Sequence, residues 1–272
     1  MTSLKLPLLV EPAELAAHLG AANLRIVDLN PPHVYARVHV PGAVPLDYSR
    51  IVAPRPPAMG VLPSADQLAG VLGGLGLRPE HAVVAYDDEG NGRAARLLWT
   101  LDAIGHRGGA SILNGGLKGW LADGRPTEAG ARAVERTQYP VQIQGDVAAD
   151  KDYILAHLGD PNVVLLDART PEEYTGQNQR AARAGHIPGA VNYPWTDAMD
   201  QMRNLRIKNA AELKRALEAL GVTPDKEIIT YCQTHHRSAH TYAVLKSLGY
   251  PKIKGYPGSW SEWGNLPDTP IE

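Results

Sequence analysis

The chain has 272 residues, a formal net charge of −2 and a single cysteine. This length is sufficient for two ordinary domains with their own hydrophobic cores, and one cysteine excludes a disulfide within the chain. The balance of 27 Lys and Arg against 29 Asp and Glu argues against a nucleic-acid partner or a membrane surface, so we expect small-molecule partners.

The sequence predicts neither a secretory signal nor a membrane span. The stretch Met1–Val10 is too short, and too interrupted by Lys and Pro, to serve as a signal. No apolar run approaches the roughly 18 residues that cross a bilayer. We therefore expect a cytoplasmic protein.

The first half of the chain alternates helical and strand patterns. Helical spacing of apolar residues and capping signals predict two helices, short apolar runs predict two strands, and Pro-rich Ala53–Pro57 is interpreted as an extended surface loop. The predicted elements are a helix over Pro12–Leu19, a strand over Leu24–Leu29, a helix over Ser64–Leu75 and a strand over Ala82–Tyr86.

The second half repeats this order of predicted elements and several short stretches of the sequence itself. Ala17-His18-Leu19-Gly20 recurs as Ala156-His157-Leu158-Gly159, and His39-Val40-Pro41-Gly42-Ala43-Val44 recurs as His186-Ile187-Pro188-Gly189-Ala190-Val191. The corresponding predicted elements are a helix over Asp152–Leu158, a strand over Val163–Ala168, a helix over Ala210–Leu220 and a strand over Glu227–Tyr231. The pattern indicates a duplicated domain.

Alternating helices and short buried strands predict an α/β fold in each copy, with a parallel sheet covered by helices on both faces. The segment Arg125–Val147 has little apolar periodicity and is interpreted as a linker. The predicted organisation is a first domain over 1–125, a linker over 126–147 and a second domain over 148–272.

The single cysteine lies where a strand turns into a helix. Ile228–Tyr231 is predicted to be a buried strand, and Ala239–Leu248 a helix ended by Gly249. Cys232 would then face the unpaired N–H groups and the positive end of that helix, both of which favour the thiolate. The alternative is an inert buried cysteine, which the polar run after Cys232 disfavours.

The residues between the strand and the helix form the predicted site. Successive N–H groups of such a short loop converge on its first side chain and can hold an anion. Catalysis is assigned to Cys232, and substrate binding to Gln233, Thr234, His235, His236, Arg237 and Ser238.

Several roles within this loop remain open. Arg237 either attracts an anionic substrate or ties the loop to a carboxylate such as Asp167. His235 and His236 are interpreted as exposed rim residues more than as obligatory acids or bases. Zinc-binding residue types are present at Cys232, at both loop histidines and at His240. Because a tight turn points these side chains in different directions, no metal site is predicted. No cofactor is predicted either.

The first copy places Asp87 where the second has Cys232, so it contains no nucleophile. Asp87 is interpreted as a surface or N-cap carboxylate left after duplication. The first domain is therefore predicted to be inactive and to contribute a wall of the cleft and stability.

Over essentially its whole length the chain resembles the tandem-domain rhodanese sulfurtransferases. The resemblance is carried by Asp28 and Asp167, the turn at 185–190, the cysteine loop, and the glycine-rich ends at 114–116 and 258–263. It implies two tandem rhodanese-like domains and transfer of a sulfane sulfur from a donor such as thiosulfate to cyanide or a thiol, through a persulfide on Cys232. The loop Cys-Gln-Thr-His-His-Arg resembles that of an Azotobacter rhodanese.

Two features depart from the family pattern. The loop carries neither the extra Arg or Lys implied for thiosulfate enzymes nor the Cys-Gly-x-Gly implied for 3-mercaptopyruvate sulfurtransferases. The family's substrate-binding arginine, which precedes a tyrosine, is here Glu173 before Tyr174. The alternatives are a 3-mercaptopyruvate sulfurtransferase, and a persulfide carrier that delivers sulfur to a partner protein.

A phosphatase of the related fold is also considered, since its loop has the form Cys-x5-Arg. Here the spacing is Cys-x4-Arg, and the shorter loop offers a smaller cradle, suited to one sulfur atom and too tight for a phosphate. No aryl-phosphate hydrolysis is expected.

Overall fold

The computed structural model describes residues 4–272; the first three residues of the Met1–Val10 stretch lie outside them. Within the described range, no helix has both the length and the apolar character needed to cross a membrane.

The strands and helices are short. The strands are β1 Leu9–Val10, β2 Leu24–Asp28, β3 Val44–Pro45, β4 Ala53–Arg55, β5 Ala58–Val61, β6 Ala82–Tyr86, β7 Ala110–Leu113, β8 Val163–Asp167, β9 Val191–Asn192, β10 Met199–Asp200, β11 Arg206–Ile207, β12 Glu227–Tyr231 and β13 Ile253–Gly255. The helices are α1 Pro12–Ala16, α2 Pro32–Arg37, α3 Ala65–Gly74, α4 Gly92–Ala103, α5 Gly116–Ala122, α6 Lys151–Ala156, α7 Pro171–Tyr174, α8 Ala210–Ala219, α9 Arg237–Ser247 and α10 Ser259–Trp263.

One compact unit comprises the described part of Met1–Ile51 together with Pro63–Gln144 and Asp200–Ile207. Its sheet has the order β1-β7-β6-β2-β3, and every neighbouring pair is parallel. Buried residues such as Tyr86 and Trp120 form its core. We call it unit 1.

The other compact unit, unit 2, comprises Val52–Leu62, Gly145–Met199 and Lys208–Glu272. Its sheet has the order β13-β12-β8-β9, again with parallel neighbours throughout. Tyr231 and Trp260 are among the buried residues of its core. The prediction of an α/β fold formed twice, with parallel sheets flanked by helices, is confirmed.

Each half of the chain contributes one segment to the unit formed mainly by the other half. The Pro-rich segment is extended and largely exposed, as predicted, but it forms a strand of an antiparallel β4–β5 hairpin in unit 2, with a cis peptide between Pro56 and Pro57, so only its assignment as a loop was wrong. In unit 1, Arg206 from the second half pairs with Asp123 at 2.9 Å. The boundaries of the two sequence copies and their linker, 1–125, 126–147 and 148–272, stay a prediction.

The repeated His-x-Pro-Gly-Ala turn is built in the same way in both units. The ring of Tyr35 stacks on His39 with centroids 4.1 Å apart, and Tyr174 stacks on His186 at 3.7 Å. In each pair the histidine Nδ1 hydrogen-bonds to the tyrosine carbonyl oxygen. This repetition in sequence therefore reflects the same local packing in both units.

Candidate active site

Cys232 directly follows β12, at the carboxyl end of a strand that lies between β8 and β13. Helix α9 begins at Arg237, earlier than the predicted start at Ala239. We call residues 232–236 the cysteine loop. Ligands of open parallel sheets bind at the carboxyl ends of the strands, so the loop lies where a functional site is expected.

The main chain of the cysteine loop is anchored by the beginning of α10. The Cys232 N–H donates to Ser259 Oγ at 3.2 Å, and the Trp260 N–H donates to the Cys232 carbonyl at 2.9 Å. The Ser261 N–H donates to the Gln233 carbonyl at 3.0 Å. These bonds satisfy the polar groups of a buried turn and define its orientation.

The sulfur of Cys232 is buried and surrounded by hydrogen-bond donors. The residue is 1% exposed. Burial by itself raises the pKa of the Cys232 thiol, but the charge of Arg237 and hydrogen bonds from the Ser238 hydroxyl, the Ser238 N–H and the Thr234 N–H outweigh it, so the pKa is lowered. The surroundings of the sulfur thus favour a thiolate, as the strand-to-helix position predicted.

Arg237 is held by a carboxylate, although not by the expected one. Its two terminal nitrogens donate to the oxygens of Glu173 at 2.5 and 2.9 Å. Asp167, the expected partner, instead binds Arg169, whose guanidinium lies 4.4 Å from the ring centroid of Trp260. Of the two roles left open for Arg237, the tie to a carboxylate is therefore observed, with Glu173 in place of Asp167, the example named from the sequence.

The two loop histidines occupy different environments. His235 is 0% exposed and its Nδ1 lies 2.7 Å from Ser238 Oγ, so its interpretation as a rim residue was wrong. His236 is partly exposed, and its ring lies 5.7 Å from that of Trp195, to which buried His240 also packs edge-on. Among residues 4–272, no group of three or more His, Cys, Asp or Glu side chains could hold a metal ion.

Gln233 and Thr234 are partly exposed. The Gln233 side chain donates to the carbonyl of Arg180 at 3.1 Å. The side chain of Arg180 is 59% exposed, and its Nε lies 3.9 Å from a Glu173 oxygen. Two cationic side chains therefore approach one carboxylate beside the cysteine loop.

Trp195, Arg180 and the partnership of Glu173 with Arg237 were missed by sequence reasoning. Trp195 follows a short strand and carries no motif, and Arg180 lies in a polar stretch without periodicity. The partner of Arg237 could have been found from the sequence, because Glu173 places a carboxylate where the family carries a cation. A carboxylate at such a position indicates a basic partner nearby.

Asp87 occupies the corresponding position after β6 in unit 1 and is 1% exposed, so it is not a surface residue. One carboxylate oxygen accepts from the N–H groups of Glu89 and Asn91, and the other from those of Arg93 and Ala94, at 2.7 to 3.0 Å. The last two belong to the first turn of α4, which agrees with the expected capping role. An internal carboxylate therefore fills the anion cradle of the first copy.

Comparison with known proteins reveals close relatives. The rhodanese-like domain model matches residues 11–123 and 150–266. The chain is 49% identical over 267 residues to a thiosulfate sulfurtransferase of Pseudomonas aeruginosa and to one of Azotobacter vinelandii, covering 98% of this chain and 97% of each relative. It is 35% identical over 268 residues to the sulfur carrier protein TtuD of Thermus thermophilus, covering 93% of this chain and 92% of that protein.

A solved structure has the same fold. The crystal structure of SseA from Escherichia coli, described as a 3-mercaptopyruvate sulfotransferase, superposes with a TM-score of 0.81 at 27% identity. The match covers 94% of this chain and 99% of that one.

Proposed function

Because this chain belongs to the family of rhodanese-like proteins, we propose that it is a thiosulfate sulfurtransferase whose sulfur carrier is Cys232. The observation that carries the assignment to this residue is the buried sulfur enclosed by the Thr234 and Ser238 N–H groups and the Ser238 hydroxyl. Such a cradle favours an anionic sulfur before and after the transfer.

The reaction has two displacement steps. The Cys232 thiolate attacks the outer sulfur of thiosulfate, the S–S bond breaks, and sulfite leaves with the electron pair. The cysteine then bears a persulfide anion. Cyanide or a thiolate attacks the terminal sulfur, a new C–S or S–S bond forms, and the Cys232 thiolate is released for the next cycle.

The charges around the loop suit an anionic donor. Arg237 is 19% exposed and neutralised on one side by Glu173, so its main effect is on the Cys232 sulfur. Arg180 is more exposed and is available to the anionic end of a donor approaching from solvent. A donor carrying a carboxylate, such as 3-mercaptopyruvate, is the lesser alternative, since the loop lacks the Cys-Gly-x-Gly form.

A persulfide carrier is the second candidate function. It is supported by the identity of 35% to the sulfur carrier protein TtuD. In that role the same Cys232 persulfide would pass its sulfur to an acceptor protein and turn over slowly with small thiophiles.

Intact-mass measurement and turnover test these functions together. Incubation with thiosulfate should add the mass of one sulfur atom, and Cys232→Ala should abolish this increment. Thiocyanate formation from thiosulfate and cyanide supports the enzyme, whereas loading without turnover supports the carrier. An increment that persists in Cys232→Ala would refute both assignments.

We further propose that donor and acceptor are small molecules and that the protein acts in the cytoplasm. A reducing compartment is supported by this chemistry, because small thiols there can accept the outer sulfur of the persulfide and release the Cys232 thiolate. A thiol reagent that cannot cross the inner membrane tests the location. It should label Cys232 only after lysis, and labelling in intact cells would place the protein in the periplasm instead.

A further inference from the structure

The β4–β5 hairpin is encoded in the first copy of the repeat, yet it belongs to unit 2 and lies against the cysteine loop. Its strands pair antiparallel, with Ala53 opposite Val61 and Arg55 opposite Ala58. A segment from the copy without a nucleophile is therefore part of the unit that contains Cys232.

The contact with the cysteine loop is made by main chain on main chain. A Cβ atom added at Gly60 would lie 2.1 Å from the Thr234 carbonyl oxygen and 2.7 Å from the Pro257 carbonyl oxygen. Real Cβ atoms essentially never approach so closely, so no side chain larger than hydrogen fits unless backbone moves.

A neighbouring hydrogen bond fastens the same strand to the other side of the loop. The Met59 N–H donates to Ser261 Oγ at 3.0 Å, and the Ser261 N–H donates to the Gln233 carbonyl at 3.0 Å. Strand β5 is thus connected to residue 233 through Ser261 and touches residue 234 directly.

The backbone conformation of Gly60 does not by itself require glycine. Its φ angle is not among the positive values of the described residues, so an L-residue would adopt this conformation without strain. Glycine in a strand interior costs stability relative to residues with side chains. The close approach to the cysteine loop is the remaining reason for glycine at this position.

We propose that Gly60 is a positioning residue for the chemistry of Cys232. The Thr234 carbonyl that touches Gly60 belongs to the same residue whose N–H donates to the Cys232 sulfur. By admitting β5 to this contact, Gly60 holds residue 234 in the orientation in which its N–H faces the sulfur. The inference rests on the proposed function only in that the sulfur of Cys232 is the reactive atom.

The test is Gly60→Ala, with Gly70→Ala as the matched control. Gly70 lies in α3, where an added Cβ meets nothing within 4 Å. Displacing the loop by about 1 Å is expected to lower the rate of persulfide formation by ~100-fold. The alkylation profile of Cys232 should move to higher pH, because a donor to the thiolate is misplaced, while Gly70→Ala keeps both the rate and the profile.

A second variant decides the question if Gly60→Ala does not fold. Ser261→Ala removes the acceptor for the Met59 N–H without adding atoms, and it should also move the alkylation profile to higher pH. If Gly60→Ala folds, a wild-type alkylation profile and loading rate would overturn the proposal. If Gly60→Ala does not fold, an unshifted alkylation profile in Ser261→Ala would overturn it. If the wild type forms no thiocyanate, the proposed function fails, but the alkylation profiles still test Gly60.

Discussion

The carboxylate of Glu173 accepts two hydrogen bonds from the guanidinium of Arg237, and both side chains are largely buried beside the cysteine loop. The family resemblance places a substrate-binding arginine at position 173. In this chain the carboxylate instead anchors Arg237, the first residue of α9, whose charge favours the thiolate of Cys232.

Glu173→Gln should destabilise unit 2 by about 3 kcal/mol, since removing one partner leaves the buried Arg237 charge uncompensated. Gln preserves the capping box that residue 173 forms with Thr170 at the start of α7, so the loss reports on the ion pair. Urea unfolding measures it, with exposed Glu172→Gln as the control. Equal stabilities of the two variants would contradict a role for the pair.

The Glu173 pair also predicts a pH dependence of stability. Burial alone would raise the pKa of Glu173, but the hydrogen bonds and charge of Arg237 outweigh it and lower the pKa below the usual 4.5. For a carboxyl with a lowered folded pKa, the stabilisation is present above the unfolded value and disappears as pH falls through the folded value. Wild type should therefore lose its advantage over Glu173→Gln below about pH 4.5.

Arg237→Gln should raise the pKa of Cys232, because the nearby positive charge that favours the thiolate is removed. The alkylation rate by a neutral reagent, measured against pH, should shift to higher pH. Loading by anionic donors should also decline more than loading by neutral ones. Exposed Arg215→Gln on α8 controls for a general change in charge; an unshifted alkylation profile in Arg237→Gln would mean that Arg237 is only structural.

Ser238→Ala should raise the pKa of Cys232 as well, since it removes a hydroxyl that donates to the sulfur. When this hydroxyl donates to the thiolate, its oxygen is free to accept from His235 Nδ1, 2.7 Å away. In the wild-type background, His235→Ala should therefore move the alkylation profile of Cys232 to higher pH. In the Ser238→Ala background, the same change should have little further effect. Additive shifts in this double-mutant cycle would exclude such a relay.

His240→Phe should leave activity intact and increase stability. Neither ring nitrogen of His240 has a hydrogen-bond partner among the described residues, and burial lowers its pKa from 6.5 to about 3. A histidine that stays neutral when folded destabilises the protein as pH falls below 6.5, by up to about 1.4 kcal/mol per pH unit. Unfolding between pH 6.5 and 5 should be less pH-dependent in the variant, with exposed His33→Phe as control; an unchanged slope would contradict this.

Asp87→Ala should unfold unit 1 more readily without lowering the specific activity of the folded protein. Four N–H groups that now bind the carboxylate would be left without an acceptor, at a cost of at least about 3 kcal/mol. Denaturant unfolding and loading of folded protein by thiosulfate measure the two effects. Partly exposed Asp88→Ala is the control, and loss of loading without loss of stability would assign Asp87 a chemical role.

Most of the fold could be predicted because it depends on local patterns. The strands at Ala82–Tyr86 and Glu227–Tyr231 were predicted to the residue, since short apolar runs between turn signals suffice to define a buried parallel strand. The hairpin was missed because Pro-rich β4 is stabilised by its partner strand and by contacts in unit 2, neither of which is visible in its own composition.

The sequence alone determined the duplication, because stretches of the first half recur in the second. It also determined the α/β class and the position of Cys232 between a strand and a helix, because these follow from patterns over a few residues. The tertiary structure decided which carboxylate holds Arg237, that His235 is buried against Ser238, and that Gly60 touches the cysteine loop. These contacts depend on how side chains and loops pack after the sheets have formed, and packing joins residues whose separation along the chain leaves no local pattern to read.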